Sequence, residues 1–317
     1  MTGKPVVAVT GATGFLGRHL VLALAEAGVS VRILARRDPT HALWHGLALD
    51  VVRGDLEDRP ALDRLVAGTD AVVHVAGLIK ARDRAAFLRA NRDGTHTVAL
   101  AARRGAPGAR FIAISSLAAR EPQLSDYSAS KRAGEEAART VFGDAPDRLV
   151  IVRPPAIYGP WDRETLAIFQ AAARAIAPVF GSGRIAFVHV TDAAAAVARL
   201  ATGAGTAGLY ALADTNPAGY AMAELLGEAA RAVGGSPRLV RVPDGLLLAA
   251  GDVSAWWGRL RGRAPIFTAG KAREMLHPNW SVAPEEALPP AIYRSQIGLA
   301  QGFRQTAAWY KQAGWLP

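Results

Sequence analysis

Val6-Val7-Ala8-Val9-Thr10-Gly11-Ala12-Thr13-Gly14-Phe15-Leu16-Gly17 decides the fold. An apolar, largely β-branched run leads straight into Gly-x-x-Gly-x-x-Gly, and helical spacing then continues from Phe15 to Glu26. A buried strand that turns tightly into a helix needs glycine where side chains would block the turn. Gly11 permits the turn, Gly14 lets backbone approach a pyrophosphate, and Gly17 lets the helix lie close on the sheet. The N–H groups of the helix start lie open to phosphate, and Thr13, Phe15 and Leu16 complete the candidate cradle. A glycine triplet alone marks only a turn. On the first strand of a βαβ unit it points to a dinucleotide.

Outward from this stretch the pattern repeats. Strands are predicted at Ser30–Ala35, Val51–Gly54, Ala71–Ala76, Arg110–Ser115 and Leu149–Arg153. Long helices are predicted at Phe87–Arg103 and Asp126–Val141. Alternating β and α with near-continuous apolar strands implies an α/β fold, a doubly wound parallel Rossmann sheet covered on both faces. After about Tyr158 the rhythm changes, with frequent Pro and Gly and adjacent Trp residues. The expected division is a dinucleotide-binding unit at 1–158, with returns near 186–213, and a smaller substrate-capping region at 159–317. Phe187–Val190 and Gly208–Ala213 are expected back in the main domain or at its edge.

The end of the second strand bears on the cofactor. An NAD site usually places Asp or Glu there for the ribose 2′-hydroxyl. Here Ala35 stands in that place, followed by Arg36 and Arg37. Two guanidiniums with no carboxylate suit a 2′-phosphate, so NADP is the expected cofactor, with NAD still possible. Asp55, beside Leu56 after the third strand, is a candidate acceptor for the adenine amino group, or a plain loop cap.

Chemistry is expected at the carboxyl ends of later strands, where open α/β sheets bind ligands. Ser115-Ser116 ends one strand, and Tyr127-Ser128-Ala129-Ser130-Lys131 opens the next helix. Tyr and Lys four residues apart share a helix face. A nearby ammonium is expected to lower the Tyr127 pKa and make it a proton shuttle. A strand-end serine can hold a substrate oxygen. Tyr-x-x-x-Lys is weak by itself, and gains meaning from the glycine motif and the serines.

Together these segments resemble the extended short-chain dehydrogenase/reductase superfamily, in its epimerase/dehydratase-like group. His74-Val75-Ala76-Gly77, Asn91-Arg92-Asp93-Gly94-Thr95, Arg153-Pro154-Pro155-Ala156-Ile157-Tyr158-Gly159-Pro160 and Phe187-Val188-His189-Val190-Thr191-Asp192 extend the match over residues 1–200. The resemblance implies Tyr127 as acid/base, Lys131 also on the nicotinamide ribose, and Ser116 on the substrate oxygen. It implies backbone contacts to the dinucleotide from Ala76 and Gly77, and places Leu56, Ser115, Pro154 and Ala156 among the cofactor-binding positions. Asn91 is expected to support the active-site helix or a water relay.

Departures from the nucleotide-sugar members bear on substrate. Ala156 stands where they resemble Asn, Ile185 where they tend to carry Arg with Arg184 one place off, and only ten residues separate Ser116 from Tyr127. The Arg153–Pro160 run is closer to 3β-hydroxysteroid dehydrogenase-like and dihydroflavonol reductase-like branches. A mainly apolar, uncharged carbonyl or alcohol is therefore expected, with Leu78, Ile79, Leu117, Ala156–Tyr158, Phe180 and the Leu246–Trp257 segment as candidate walls. Arg174 or Arg184 reaching a phosphate is the counter-reading.

Three function classes stay open. They are a net oxidoreductase, a sugar or nucleotide-sugar epimerase or dehydratase that retains its cofactor, and a non-catalytic NADPH-bound assembly or sensor protein. The intact Ser116, Tyr127 and Lys131 count against the last.

Composition narrows the rest. The chain has 317 residues, half of them hydrophobic and 20% charged, which excludes a disordered chain. With no cysteine, disulfides, thiolate metal sites and Cys nucleophiles are excluded. No apolar run approaches the roughly 20 residues of a spanning helix, and no secretory signal is evident, so a cytoplasmic location is expected. Lysine occurs five times and arginine supplies the other 32 basic residues, scattered except for Arg259-x-Arg261-x-Arg263. Such scatter argues against nucleic acid as a partner. A small-molecule substrate is expected, and a homodimer through the two long helices. The Leu246–Arg263 segment reads as a lid helix in preference to a membrane-interface helix. His189 and His277 read as core or capping residues, and no metal is expected.

Overall fold

The computed structural model describes residues 4–203, 205–260 and 267–317, the side chains of residues 255, 256 and 258–260 excepted. The Trp256 side chain and most of the Arg259–Arg263 cluster lie outside the described residues.

Strands β1 (Val6–Thr10), β2 (Ser30–Ala35), β3 (Asp50–Arg53), β4 (Ala71–His74), β5 (Arg110–Ile114) and β6 (Leu149–Arg153) join Gly208–Ala211 in a seven-stranded sheet. From Gly208–Ala211 at one edge the order is β6-β5-β4-β1-β2-β3, and every pairing is parallel. β4 and β6 are buried throughout, as strands covered on both faces must be. On one face α1 (Phe15–Glu26) packs beside helix Val190–Ala201 over Val7, Val9, Ile33, Val73, Ile112 and Val150. On the other, α2 (Arg59–Val66), α4 (Gly94–Gly105) and α5 (Asp126–Val141) cover Ala8, Leu34, Val72, Phe111 and Ile151.

One expectation needs correction. The helix expected over Phe87–Arg103 is in fact α3 (Arg84–Leu88), a π-helical turn Arg89–Asp93 and α4. The turn puts Asn91 inside, 2% exposed, and its side chain takes up polar groups of the loop after β4. Phe187–His189 lies outside the seven-stranded sheet, although Val188 packs in the core against it. It pairs in parallel with Ala156–Tyr158 in a separate two-stranded sheet. The return at Gly208–Ala211 does form the sheet edge.

The later residues build small units. Tyr220–Ala221, Arg184–Ile185 and Asn279–Trp280 make a three-stranded sheet, and Ile176–Val179 pairs with Arg238–Arg241. Tyr158, Phe169, Phe187, Leu225, Phe303 and Tyr310 form the core beneath them. Helix Asp244–Leu260 and helix Ala269–Leu276 pack together at the other side of this region.

Candidate active site

The glycine loop is built by contact as much as by conformation. Gly11 has φ +70°, and a Cβ there would lie 2.5 Å from the Ala76 nitrogen at the end of β4. A Cβ on Gly17 would lie 2.1 Å from the Gly11 carbonyl oxygen, so the third glycine seats α1 on the loop. Gly14 is the N-cap of α1, with no side-chain cap and no acidic residue in the first turn. An uncapped, carboxylate-free helix start is suited to a diphosphate. Thr13 and Gly14 are clasped by Arg18, whose guanidinium donates to both carbonyl oxygens at 2.8 and 3.1 Å and meets His41 at 3.0 Å. The motif reading passed over Arg18, although it directly follows the third glycine.

At the end of β2, Arg36 and Arg37 are both exposed. Neither makes an ion pair or side-chain hydrogen bond among the described residues, whereas Asp38 next to them is paired with Arg53. Asp55 caps its own turn. Its Oδ1 accepts from the Glu57 and Asp58 N–H groups at 2.9 and 3.1 Å, the loop role foreseen as the alternative. Leu56 packs partly buried against the α2–α4 face, close to Gly94.

The strand ends converge on α5. Ser125 caps this helix by accepting from the Ser128 N–H at 3.0 Å, and Tyr127 and Lys131 follow on one face. Ser116 hydrogen-bonds Tyr127 and also accepts from the Ala118 N–H at 3.2 Å, which fixes its rotamer. Ser115 turns the other way and donates to Glu135 at 2.6 Å, leaving its backbone as the part that faces outward contacts. A Cβ on Gly77 would lie 2.8 Å from Asn91 Oδ1 and 3.3 Å from Lys131 Nζ, so the β4 loop passes directly over the lysine. Asn91 holds that loop. It accepts from the Leu78 N–H at 2.8 Å and donates to the Leu78 carbonyl and to Ser130 Oγ at 3.0 and 2.8 Å. Of the two roles foreseen for Asn91, this geometry supplies the support of the active-site helix.

One electrostatic expectation reverses. Burial pushes the Tyr127 phenol up to about 12; the Ser116 hydrogen bond opposes this and the Glu274 carboxylate adds to it. The Lys131 Nζ donates to the Ile114 carbonyl at 2.9 Å and is not among the groups that shift the phenol. Burial brings Lys131 down to about 8 against the pull of Glu135 one turn further on. At neutral pH the site therefore holds a protonated phenol beside a mostly charged lysine, a proton-donor state.

Behind these groups lies a buried ion pair absent from the sequence reading. Arg153 donates to both oxygens of Glu135 at 2.7 and 2.8 Å, and the two side chains are 7% and 0% exposed. The pair joins α5 to the end of β6 just before Pro154, whose carbonyl accepts from the Leu117 N–H at 2.8 Å. Ala156 opens the short strand beyond, half-buried. Glu274, also unforeseen, accepts from Ser125 and, at 3.0 Å, from Ser128 at the start of α5.

Several candidate walls are not walls. Leu117 and Tyr158 are 2% and 0% exposed in packed cores. Leu246, Val253 and Trp257 stand exposed at 63, 56 and 48%, and of that segment Leu247 turns inward. Leu78 and Ile79 stand open beside Asn91. Arg184 donates to the carbonyls of Ala218 and Gly219, which holds it on its own loop. His189 caps helix Val190–Ala201 and His277 accepts from the Asn279 N–H, the capping roles expected of them. Among the described residues no His, Asp and Glu cluster could hold a metal ion, and no helix is long and apolar enough to cross a membrane.

A glycine loop on the first strand of a parallel sheet, with a serine, tyrosine and lysine gathered at its carboxyl edge, defines a dinucleotide-dependent oxidoreductase fold. Residues 7–210 match the NAD dependent epimerase/dehydratase family, and the chain belongs to it. It is an NAD(P)-dependent enzyme of the reductase/dehydrogenase kind. The chain is 50% identical to a ceramide reductase of Caulobacter vibrioides, over 99% of this chain and 97% of that protein. It is 29% identical to a 2-alkyl-3-oxoalkanoate reductase of Stenotrophomonas maltophilia, over 95% and 98%. The dTDP-glucose 4,6-dehydratase DesIV of Streptomyces venezuelae, solved with NAD and TYD, shares the fold over 98% of each chain, with TM-score 0.74 and 21% identity.

Proposed function

We propose that this protein is an NADPH-preferring reductase of a ceramide-type ketone. A ceramide carries a secondary alcohol beside its amide-bearing carbon, and the matching ketone is the substrate this reading assigns. The observation that carries it is the proton-donor pairing of Tyr127 with Ser116 and Lys131, in a chain half identical to a ceramide reductase along nearly its whole length.

The dinucleotide, when bound, supplies the hydride. Gly11, Thr13, Gly14, Phe15, Leu16 and Gly17 fit its diphosphate, Arg36 and Arg37 its 2′-phosphate, and Asp55 and Leu56 its adenine end. Ala76, Gly77, the Ser115 backbone, Pro154 and Ala156 line its nicotinamide half, with Lys131 on the ribose. Ser116 donates a hydrogen bond to the ketone oxygen and stabilises the charge that develops there. Tyr127 donates its proton to that oxygen, completing the alcohol. Residues 159–317 would mainly form the cap over the substrate, apart from helix Val190–Ala201 and strand Gly208–Ala211, which belong with the main sheet. Arg184 is engaged with Ala218 and Gly219, which counts against its serving a nucleotide sugar as anion anchor.

The test is loss of reduced-nicotinamide absorbance with a ceramide-type ketone, with NADPH and NADH in parallel. Steady turnover with the ketone, faster with NADPH at low concentration, supports the proposal. Turnover of a dTDP- or UDP-sugar with no net change in cofactor would replace it by the epimerase/dehydratase reading. We further propose a homodimer formed through α4 and α5, where Leu100 is 39% exposed. Light scattering that finds a monomer at high concentration overturns this.

A further inference from the structure

We propose that helix Asp244–Leu260, with the strand Arg238–Arg241 leading into it, is a docking surface for an anionic lipid bilayer. The proposal rests on the lipid-ketone reading above and says how such a substrate is reached.

The helix has two apolar sides. At about 100° per residue, Leu246, Ala250, Val253 and Trp257 fall within an arc of about 60°. All four are exposed, three of them large apolar side chains. A second line, Leu247 and Gly251, is buried. Gly251 sits so close to Thr268 and Ala269 that a Cβ would lie 2.7 Å from the Ala269 nitrogen, which fixes this line against helix Ala269–Leu276. The exposed line is therefore not the side that holds the helix to the protein. Exposures of about half or more also place it on the outer surface, not in a cleft.

Charge decides between occupants. No acidic side chain stands on the exposed line; Asp244 and Asp252 lie away from it around the helix. Arg238 and Arg241 are exposed and make no ion pair or side-chain hydrogen bond among the described residues. Leu239 and Val240 between them are 41 and 40% exposed. An apolar stripe with a Trp, and exposed arginines on the strand that leads into it, is the composition of a helix lying in a bilayer interface. A chain with net charge +10 adds attraction to an anionic leaflet.

The surface also touches the chemistry at one remove. Helix Ala269–Leu276, which holds the docking helix, meets the start of α5. Glu274 accepts from Ser125 and Ser128, Arg273 donates to the Leu124 carbonyl at 2.9 Å, and Gly270 abuts Ser125. Tyr127 lies two residues past Ser125. A lipid leaving the bilayer at this helix is thus delivered beside the catalytic helix.

The test uses the full chain with sedimenting vesicles of phosphatidylglycerol and phosphatidylcholine, and of phosphatidylcholine alone. The wild type should sediment with the anionic vesicles and be released by salt. Leu246→Asp with Val253→Asp should lower the partition coefficient about tenfold or more, because two charges replace buried apolar contacts. Arg238→Gln and Arg241→Gln should each cost roughly fivefold, the fold-change that matches about 1 kcal/mol per basic residue at such a surface. The stripe variant should keep its melting temperature and its turnover of a short-chain soluble ketone. Equal sedimentation of wild type and stripe variant overturns the proposal. So does a parallel loss of soluble-ketone turnover, which would make the stripe a pocket wall, and so does an oligomer that the stripe variant dissociates, which would make it a contact between copies. Vesicle binding needs no turnover. A protein that docks through the stripe yet reduces no lipid ketone refutes the substrate reading and leaves the docking surface in place.

Discussion

The surroundings of α5 and the outer elements of the later region hold their polar groups in opposite ways, although Asp162, Asp192, Asp214 and Glu274 of the later residues are buried and bonded too. Around the catalytic helix, Glu135, Arg153, Ser115 and Asn91 are buried and mutually bonded, and each fixes a strand end or loop. In the later residues Arg184, Glu224, Arg231 and Glu228 pair mainly at the surface, and strand Arg238–Arg241 is exposed along its whole length. Buried pairs tolerate little displacement, because an unpartnered charge in the interior is costly. Exposed pairs are worth little and yield easily. The difference teaches that the side chains around α5 sit on a rigid frame, while the exposed pairs of the later region constrain their elements little.

The largest effects should therefore come from the first half. Tyr127→Phe should lower turnover about 10²–10⁴-fold, the usual contribution of a general acid, with dinucleotide affinity nearly unchanged in a fluorescence titration. Full activity in this variant would remove Tyr127 from the mechanism. Glu135→Ala leaves Arg153 buried without its bidentate partner and should cost about 3–5 kcal/mol in urea unfolding. A cost within 1 kcal/mol, the range expected of surface pairs, would break the contrast between the two regions.

What the sequence revealed was local. The sign of φ at Gly11, the apolar runs of β1 to β6 and the i, i+4 spacing of Tyr127 and Lys131 are all set by a few neighbouring residues. What it concealed was nonlocal. Arg153 and Glu135 are 18 positions apart, and Ser125 and Glu274 are 149 apart. No period links such pairs. The expected lowering of the Tyr127 pKa failed for the same reason. Helix spacing brings the lysine near, but its ammonium donates to the Ile114 carbonyl of another element, and burial of the phenol, which no spacing shows, sets the direction. The π-helical turn at Asn91 is likewise invisible in an unbroken helical pattern, and so is Trp161, a non-glycine residue at φ 67° held among His19, His41 and Trp309.

Smaller effects sharpen the division of labour. Arg36→Ser with Arg37→Ser should weaken NADPH binding about 10- to 100-fold, from lost hydrogen bonds to a charged phosphate, and leave NADH binding nearly unchanged. Equal loss for both cofactors would mean that the arginines act on the loop and not on the 2′-phosphate. Lys131 has its pKa lowered to about 8, so its ammonium loses its proton as pH rises through that value. NADPH affinity of the free enzyme should then fall on the alkaline side of about pH 8. Lys131→Met should bind weakly at every pH and lack this limb.

The smallest effect is expected at Arg184, and it bears directly on the comparison. Its guanidinium donates to the Gly219 carbonyl at 2.6 Å and to that of Ala218 at 3.2 Å, and lies 3.4 Å from Glu224, with the side chain 46% exposed. Two carbonyls and a carboxylate engage its Nε and one of its two terminal nitrogens, and solvent screens the pair. Arg184→Ala should lower stability by no more than about 1 kcal/mol, as for other exposed pairs. It should change kcat/KM for a lipid ketone by less than about twofold, since a group held by its own loop does not meet an uncharged substrate. A nucleotide sugar would need the same guanidinium on its diphosphate, and losing it would cost about 10- to 100-fold. A large fall in kcat/KM with unchanged stability would therefore show that the cap uses its arginine as the catalytic half uses its buried groups. It would also return the nucleotide sugar to the head of the substrate list.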